Sequence, residues 1–100
     1  LDVELELEPT PPPARLFHGT ARRRLASIRK SGLEPRGRRF VHLSEDRSSA
    51  REVGRRHGEP VVLLIRASSM AGQGHRFYRP ASGVWLVARV PAAYLEEPNG

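Results

Sequence analysis

One pattern occurs twice in the first half of this chain: an apolar stretch ends in a histidine, a short polar step follows, and a helix-forming segment comes next. It spans residues 15–20 (RLFHGT) and residues 40–44 (FVHLS). The apolar part favours a strand, and Thr20 and Ser44 favour the first position of a helix. The unpaired N–H groups at a helix start attract anions. The two junctions therefore predict early alternation of strands and helices, and a site for a phosphorylated ligand.

The first half of the chain is predicted to hold two strand–helix pairs after an extended connector. Residues 1–7 alternate apolar and acidic, which is typical of a strand, and residues 9–13 (PTPPP) are extended and stiff. The elements expected next are a strand over residues 15–18, a helix over residues 21–31 capped by Thr20 and ended by Gly32, a strand over residues 40–43, and a helix from Ser44 or Asp46 to about residue 57.

The second half is dominated by residues 61–65 (VVLLI), whose unbroken aliphatic run predicts a central strand buried on both faces. After it we expect a short helical turn or loop over residues 68–74, strands over residues 76–79 and 84–87, and a short helical turn over residues 91–95. The two late strands are compatible with a hairpin or with two different sheets. The whole chain predicts one α+β domain with a split or mixed sheet and two early inserted helices.

The charge of the chain suggests a polyanionic partner. Its net charge is +6, and 17 of its 100 residues are Lys or Arg, of which only Lys30 is a lysine. Guanidinium groups match phosphate oxygens bidentately, so RNA and DNA are the obvious candidates. The chain has no cysteine, which excludes disulfides and thiolate metal sites and fits a cytoplasmic protein.

Several chemistries are poorly supported by the residues. The four histidines, at 18, 42, 57 and 75, have no close-spaced ligand pair, so zinc is not expected. No serine lies in a nucleophile elbow, and the acidic residues do not form a catalytic pair. What remains is a set of His, Ser/Thr, backbone amides and Arg, which suits phosphates and ribose hydroxyls.

Simpler interpretations of the same residues stay open. His18 alone could be a half-buried, hydrogen-bonded histidine at a strand end, and Arg38 could be a solvated loop charge. The stripe of Arg47, Arg51 and Arg55 is typical of a solvated helix face. The three late aromatic residues are more typical of a core than of ligand stacking; they are Phe77, Tyr78 and Trp85.

The order and spacing of several runs resemble the C-terminal lobe of the NAD-dependent RNA 2′-phosphotransferases, the tRNA splicing and RNA repair transferases. The resemblance rests on residues 16–20 (LFHGT), 28–33 (IRKSGL) and 38–44 (RRFVHLS). It continues through the runs 53–56 (VGRR), 58–63 (GEPVVL), 77–78 (FY), 83–86 (GVWL) and 90–91 (VP), and through Met70 and Gly74. It covers essentially all of residues 15–95.

This resemblance implies an ADP-ribosyltransferase-like fold in its His-His-aliphatic variant, with the three positions at His18, His42 and Val84. It implies that an RNA 2′-phosphate attacks the nicotinamide ribose of NAD and expels nicotinamide. The ribose 2-hydroxyl then attacks phosphorus, which releases repaired RNA and ADP-ribose 1″,2″-cyclic phosphate. Related enzymes place a Glu where this chain has Val84. The lack of a base at this position is consistent with an acceptor, the RNA phosphate, that is already an anion.

The resemblance also implies residue roles. Arg38 falls on the family's catalytic, phosphate-binding arginine. The residues implied to bind NAD, the co-substrate, are His18, Gly19, Thr20, His42, Leu43, Ser44, Gly54, Arg55, Phe77 and Val84. No metal is implied.

Two departures from the family pattern stand out. The family has an N-terminal winged-helix lobe with groups for the second step, so residues 1–14 are interpreted as the connector from such a lobe and residues 15–97 as the NAD-binding lobe. Phe40 stands where the family often has His. Without the second-step groups, this chain is expected to bind NAD but to complete the reaction poorly.

Two other functions remain open at the level of sequence. One is a self-sufficient ADP-ribosyltransferase that modifies a terminal phosphate of nucleic acid or a protein. The other is a basic RNA-binding module without catalysis, whose RNA affinity would fall steeply with salt and would not respond to NAD.

Overall fold

Short strands and helices alternate along residues 8–97, the part of the chain described by a computed structural model. The elements are β1 Arg15–Ala21, α1 Leu25–Ser31, β2 Val41–Leu43, α2 Arg47–Arg55, β3 Pro60–Arg66, α3 Ala67–Gly72, β4 Phe77–Tyr78, β5 Trp85–Val87 and β6 Leu95–Glu96. Two 3₁₀ turns lie at Arg22–Arg24 and Ala92–Tyr94. The strand predicted over residues 1–7 lies outside the described residues.

The strands form two small sheets, with the orders β1-β3-β6 and β2-β5-β4, and all their pairings are antiparallel. This confirms an α+β domain with separate sheets. Phe77 pairs with Val87 and Tyr78 with Leu86, so the two late strands form a hairpin rather than lying in different sheets.

Strand β3 is central in its sheet, as its aliphatic run predicts. Val61, Leu63 and Ile65 are at most 3% exposed, whereas Val62 and Leu64 between them are only half-buried. The prediction of burial on both faces is therefore correct for the face toward the second sheet and too strong for the face toward α2.

The first predicted junction is wrong in its details. Thr20 does not cap a helix: β1 continues through Ala21, and Thr20 pairs with Val61 of β3 and is 5% exposed. The chain then passes through a 3₁₀ turn before α1, which has no side-chain cap at Arg24. Seven consecutive pairings with β3 outweigh the local capping preference of one threonine.

At the second junction, Asp46 and not Ser44 caps the helix. The Asp46 carboxylate accepts a hydrogen bond from the Ser49 N–H at 2.7 Å, and α2 begins at Arg47. Ser44 instead pairs with Phe17 of β1. The N-terminus of α2 is therefore already matched with a negative charge of the chain itself, which weakens it as an anion site.

Helix α2 packs against β1 at backbone distance because two glycines face each other there. A Cβ at Gly19 would lie 1.6 Å from the Ala50 carbonyl oxygen, and a Cβ at Gly54 would lie 2.9 Å from the Thr20 carbonyl oxygen. Neither position leaves room for a side chain. The close approach fixes α2 on one face of the first sheet.

The core fills the space between the two sheets. Its fully enclosed side chains come from both sheets, from α3 and from the last loop: Leu16, Leu63 and Ile65, Leu43, Phe77 and Val87, Met70 and Val90. Among the helices of the described part of the chain, none has the length and hydropathy to cross a membrane.

Candidate functional site

The two sheets meet at β1 and β2 and then separate. Phe17 and Ser44 exchange two backbone hydrogen bonds, with distances of 2.8 and 2.7 Å between the amide nitrogen and the carbonyl oxygen. Continuing this antiparallel ladder by two residues would pair Gly19 with His42. Instead, the Nδ1 of His18 lies 3.0 Å from the His42 carbonyl oxygen. The His18 side chain therefore bridges the two strands where the sheets diverge.

The contact of His18 determines its tautomer. A carbonyl oxygen only accepts, so Nδ1 carries the proton and donates it, and Nε2 of the neutral ring keeps its lone pair. Burial lowers the pKa of His18, and the hydrogen bond to His42 opposes that effect only in part. His18 is thus a neutral imidazole at neutral pH, with one nitrogen available as an acceptor.

His42 lies on the opposite face of β2 from the core and is exposed. The Arg38 Nη1 lies 2.8 Å from His42 Nδ1 and 3.3 Å from Nε2, so the guanidinium donates to the ring nitrogen that lacks a proton. Partial burial, and then the nearby Arg38 charge, lower the pKa of His42. The structure thus places His18 against the backbone of His42 and Arg38 against its ring, in one cluster. The helix starts predicted to accompany these residues are absent or capped.

Two more of the predicted residues lie close to this cluster in the fold. Ser44 follows β2 directly and is half-buried, as is Val84, which precedes β5. Because His42 pairs with Leu86 and Leu43 with Trp85, continuing the register brings Ser44 opposite Val84. The strand pairing therefore joins the ends of β2 and β5 beside the point where the sheets separate.

The remaining residues predicted to bind NAD lie in the core, at the contact between β1 and α2, or on the exposed side of α2. Leu43 and Phe77 are 1% exposed and belong to the core. Gly19 and Gly54 form the close contact between β1 and α2, and Thr20 is buried in β1. Little side-chain surface is therefore exposed at these positions. Arg55 is exposed on α2 and forms an ion pair with Glu52 at 3.2 Å.

One residue near the site was missed in the sequence. Glu45 looks like a helix-start residue there, but its Oε2 accepts hydrogen bonds from Trp85 Nε1 at 2.7 Å and from Arg79 Nε at 3.0 Å. These bonds lower the pKa of Glu45. The detectable signal was Trp85 itself, because a buried indole N–H requires an acceptor. Glu45 ties the end of β2 to β5, next to Val84.

The chemistry of the cluster is that of neutral imidazoles beside exposed cations. Within residues 8–97, no group of three or more His, Asp or Glu side chains is arranged to hold a metal ion. An imidazole acceptor at His18 suits a hydroxyl, and the remaining N–H groups of Arg38 suit a phosphate.

Comparison with known proteins agrees with this chemistry. The model of the family "RNA 2′-phosphotransferase, Tpt1 / KptA family" matches residues 2–89. Three relatives are each named "Probable RNA 2′-phosphotransferase". The relative from Acaryochloris marina is 56% identical over 95 residues, which are 95% of this chain and 52% of the relative. The one from Agrobacterium fabrum is 52% identical over 93 residues, 93% of this chain and 50% of the relative.

The third relative, from Streptomyces coelicolor, is 49% identical over 96 residues, 96% of this chain and 53% of the relative. The chain therefore spans about half the length of the curated relatives it matches. With a family model that matches most of its residues and relatives that share about half of them, the chain belongs to the RNA 2′-phosphotransferase, Tpt1 / KptA family.

Proposed function

We propose that this chain is the NAD-binding lobe of an RNA 2′-phosphotransferase. The enzyme would transfer an internal 2′-phosphate of RNA to NAD, giving 2′-hydroxyl RNA, nicotinamide and ADP-ribose 1″,2″-cyclic phosphate. Membership of the family supports the removal of a 2′-phosphate. The observation that carries the proposal is the cluster of Arg38, His42 and His18 at the separation of the two sheets.

The donor set of the cluster fits NAD. His18 has its Nδ1–H engaged by the protein, so its Nε2 is free to accept a hydrogen bond from a ribose hydroxyl. The exposed guanidinium of Arg38 offers positive charge for phosphates. NAD, when bound, supplies a ribose carbon open to attack and nicotinamide as the leaving group.

Arg38 is proposed to hold the RNA 2′-phosphate. A guanidinium has five N–H donors, and the contact with His42 uses only one side of the Arg38 head group. The others could bind two phosphate oxygens at once, which orients the phosphate and stabilises its charge during transfer. His42 keeps the guanidinium in place as a neutral acceptor, because a protonated ring would repel it.

Val84 fits an anionic acceptor. Its side chain is apolar and half-buried, so it offers no base beside the cluster. An alcohol or amide acceptor would need such a base, whereas a phosphate is already ionised near neutral pH. The proposal therefore favours a phosphate acceptor over a protein side chain.

The first test is a titration of the folded chain with NAD, in which binding is measured by calorimetry or by amide chemical shifts. We expect binding, with shifts concentrated on β1 and β2. His18→Ala should weaken it, whereas His75→Ala should not, because His75 lies against Tyr94 away from the cluster. No binding at millimolar NAD by a folded sample would refute the proposal.

The second test uses labelled NAD and a 2′-phosphorylated RNA with a full-length protein that carries this chain. The cyclic ADP-ribose phosphate is the expected product. A stable ADP-ribosylated acceptor would identify a different transferase, and no consumption of NAD would identify a binding module. Arg38→Ala should abolish turnover, and Arg36→Ala, which removes the same charge from the same loop, should retain it.

A further inference from the structure

The outer face of the second sheet carries a continuous row across its three strands. His42 of β2 pairs with Leu86 of β5, and Leu86 pairs with Tyr78 of β4. Residues directly opposite each other in antiparallel strands share a face, so these three side chains lie side by side. Because the neighbouring row of Val41, Val87 and Phe77 fills the core, the row with His42 faces outward.

An aromatic pair stands at one end of this row. The rings of Phe40 and Tyr78 have centroids 5.5 Å apart and are tilted by 57°. Both side chains are half-buried, so each keeps exposed ring surface, while Leu86 beneath them is 9% exposed. The guanidinium of Arg39 lies 5.7 Å from the centroid of the Phe40 ring. Arg38, two residues before Phe40, contacts the His42 ring on this same face, so positive charge lies close to the aromatic pair.

The charge around the aromatic pair suits a nucleic acid. Exposed arginines flank the two aromatic residues in sequence; they are Arg38, Arg39 and Arg76. Proteins that bind single-stranded RNA combine positive charge for the backbone with aromatic rings on which bases stack. The outer face of the second sheet has both components.

We propose that Phe40 and Tyr78 form a stacking subsite for a nucleobase of the RNA adjacent to the 2′-phosphate. The inference rests on the proposed function, in which Arg38 holds that phosphate. The base is joined to the phosphate through a single ribose, so it must lie close to Arg38. Phe40 lies between Arg38 and His42 in sequence and on the same face as His42, which places its ring where that base would arrive.

The test measures the affinity of the chain for a short single-stranded RNA with one internal 2′-phosphate. Phe40→Leu and Tyr78→Leu keep an apolar side chain but remove the ring. Loss of base–aromatic stacking should weaken RNA binding by roughly five-fold to 100-fold. Tyr94→Leu removes an aromatic ring outside this face and should leave the affinity unchanged. Amide spectra of each variant establish that it is folded.

A second RNA, with abasic sites beside the 2′-phosphate, isolates the stacking interaction. It should bind the unchanged chain more weakly than the intact RNA, and Phe40→Leu should cause little further loss. The subsite is refuted if intact and abasic RNA bind equally. It is also refuted if the leucine variants weaken NAD to the same extent as RNA, because the rings would then serve the co-substrate.

The same titrations separate failure of the subsite from failure of the proposed function. Removal of the 2′-phosphate from the RNA, and Arg38→Ala, test the phosphate site alone. If both weaken binding while Phe40→Leu and Tyr78→Leu do not, the phosphate site stands and the stacking subsite falls. If neither has an effect, the proposed function itself falls.

Discussion

The two histidine segments have the same sequence pattern and opposite surroundings. In residues 17–20 (FHGT), His18 points into the space between the sheets, is half-buried, and bonds to the backbone of the other segment. In residues 41–44 (VHLS), His42 points away from the core, is exposed, and contacts Arg38. The comparison teaches that a strand pattern locates a histidine along the chain, whereas the packing of the sheet decides which chemistry it can perform.

The largest expected effect comes from the glycine that follows His18. Gly19→Ala places a methyl group 1.6 Å from the Ala50 carbonyl oxygen, so α2 must move off β1. We expect a loss of about 3 kcal/mol or more in the free energy of unfolding. Denaturant unfolding measures it. Gly72→Ala, with no atom within 4 Å of its new methyl group, is the matched control and should change little. Equal midpoints for both variants would contradict the close contact.

Next, the two histidines should differ in their contribution to stability. His18→Ala removes the hydrogen bond to the His42 carbonyl, which should cost about 1 kcal/mol. His42→Ala removes an exposed side chain and should change the free energy of unfolding by less than about 0.5 kcal/mol. His18→Asn, which keeps a donor at a similar position, should recover part of the loss. Equal losses for both alanine variants would remove the distinction.

The pH dependence of stability should follow the same comparison. Burial lowers the pKa of His18 below its ordinary 6.5, so the unfolded chain binds the proton more readily than the folded one. The contribution of His18 to the free energy of unfolding is complete above pH 6.5. It decreases as the pH falls from 6.5 through the lowered pKa of His18 in the folded chain. Unfolding measured between pH 7.5 and 5, in about half-unit steps, should show this decline. His18→Asn should reduce the decline and leave the part that comes from His42, whose pKa is also lowered. A decline that is unchanged in this variant would assign it to another group.

The smallest effect concerns the Arg38 charge. Arg38→Gln should raise the pKa of His42, because the neighbouring cation is one cause of its lowering. The pKa of His18, whose shift arises mainly from burial, should stay nearly constant. Titration of the ring signals by NMR measures both. Arg36→Gln, in the same exposed loop, is the control, and an equal shift in that variant would show that the effect is not local.

Local sequence patterns predicted the elements better than their ends. The aliphatic run predicted β3, and Gly32 ends α1 with a φ of 76° as expected for a helix stop. The helix cap at Thr20 was wrong because pairing with β3, some 40 residues away, decided that position. The helical turn predicted over residues 91–95 includes Leu95, which instead begins β6, since two residues reveal no period and only their pairing with β3 defines them.

The sequence singled out site residues by their chemistry, because Arg suits a phosphate and His suits a hydroxyl group. These residues, Arg38 and the two histidines, make contact through the ring and the backbone of His42, and their roles stay predictions. The face of each strand could not be predicted, because the pattern of residues 40–44 fits either orientation until the core is assembled. Glu45 was missed because its partners, Arg79 and Trp85, come from a hairpin far along the chain.

The paired hydrogen bonds between Phe17 and Ser44 lie at the apex of the opening between the sheets. If this opening widens or narrows while the two hydrogen bonds persist, the amides of Phe17 and Ser44 move less than their neighbours. Hydrogen–deuterium exchange would then report the motion as a gradient. Exchange would be slow at residues 17 and 44 and faster away from the apex, and a bound ligand that spans both sheets would flatten that gradient without touching either amide.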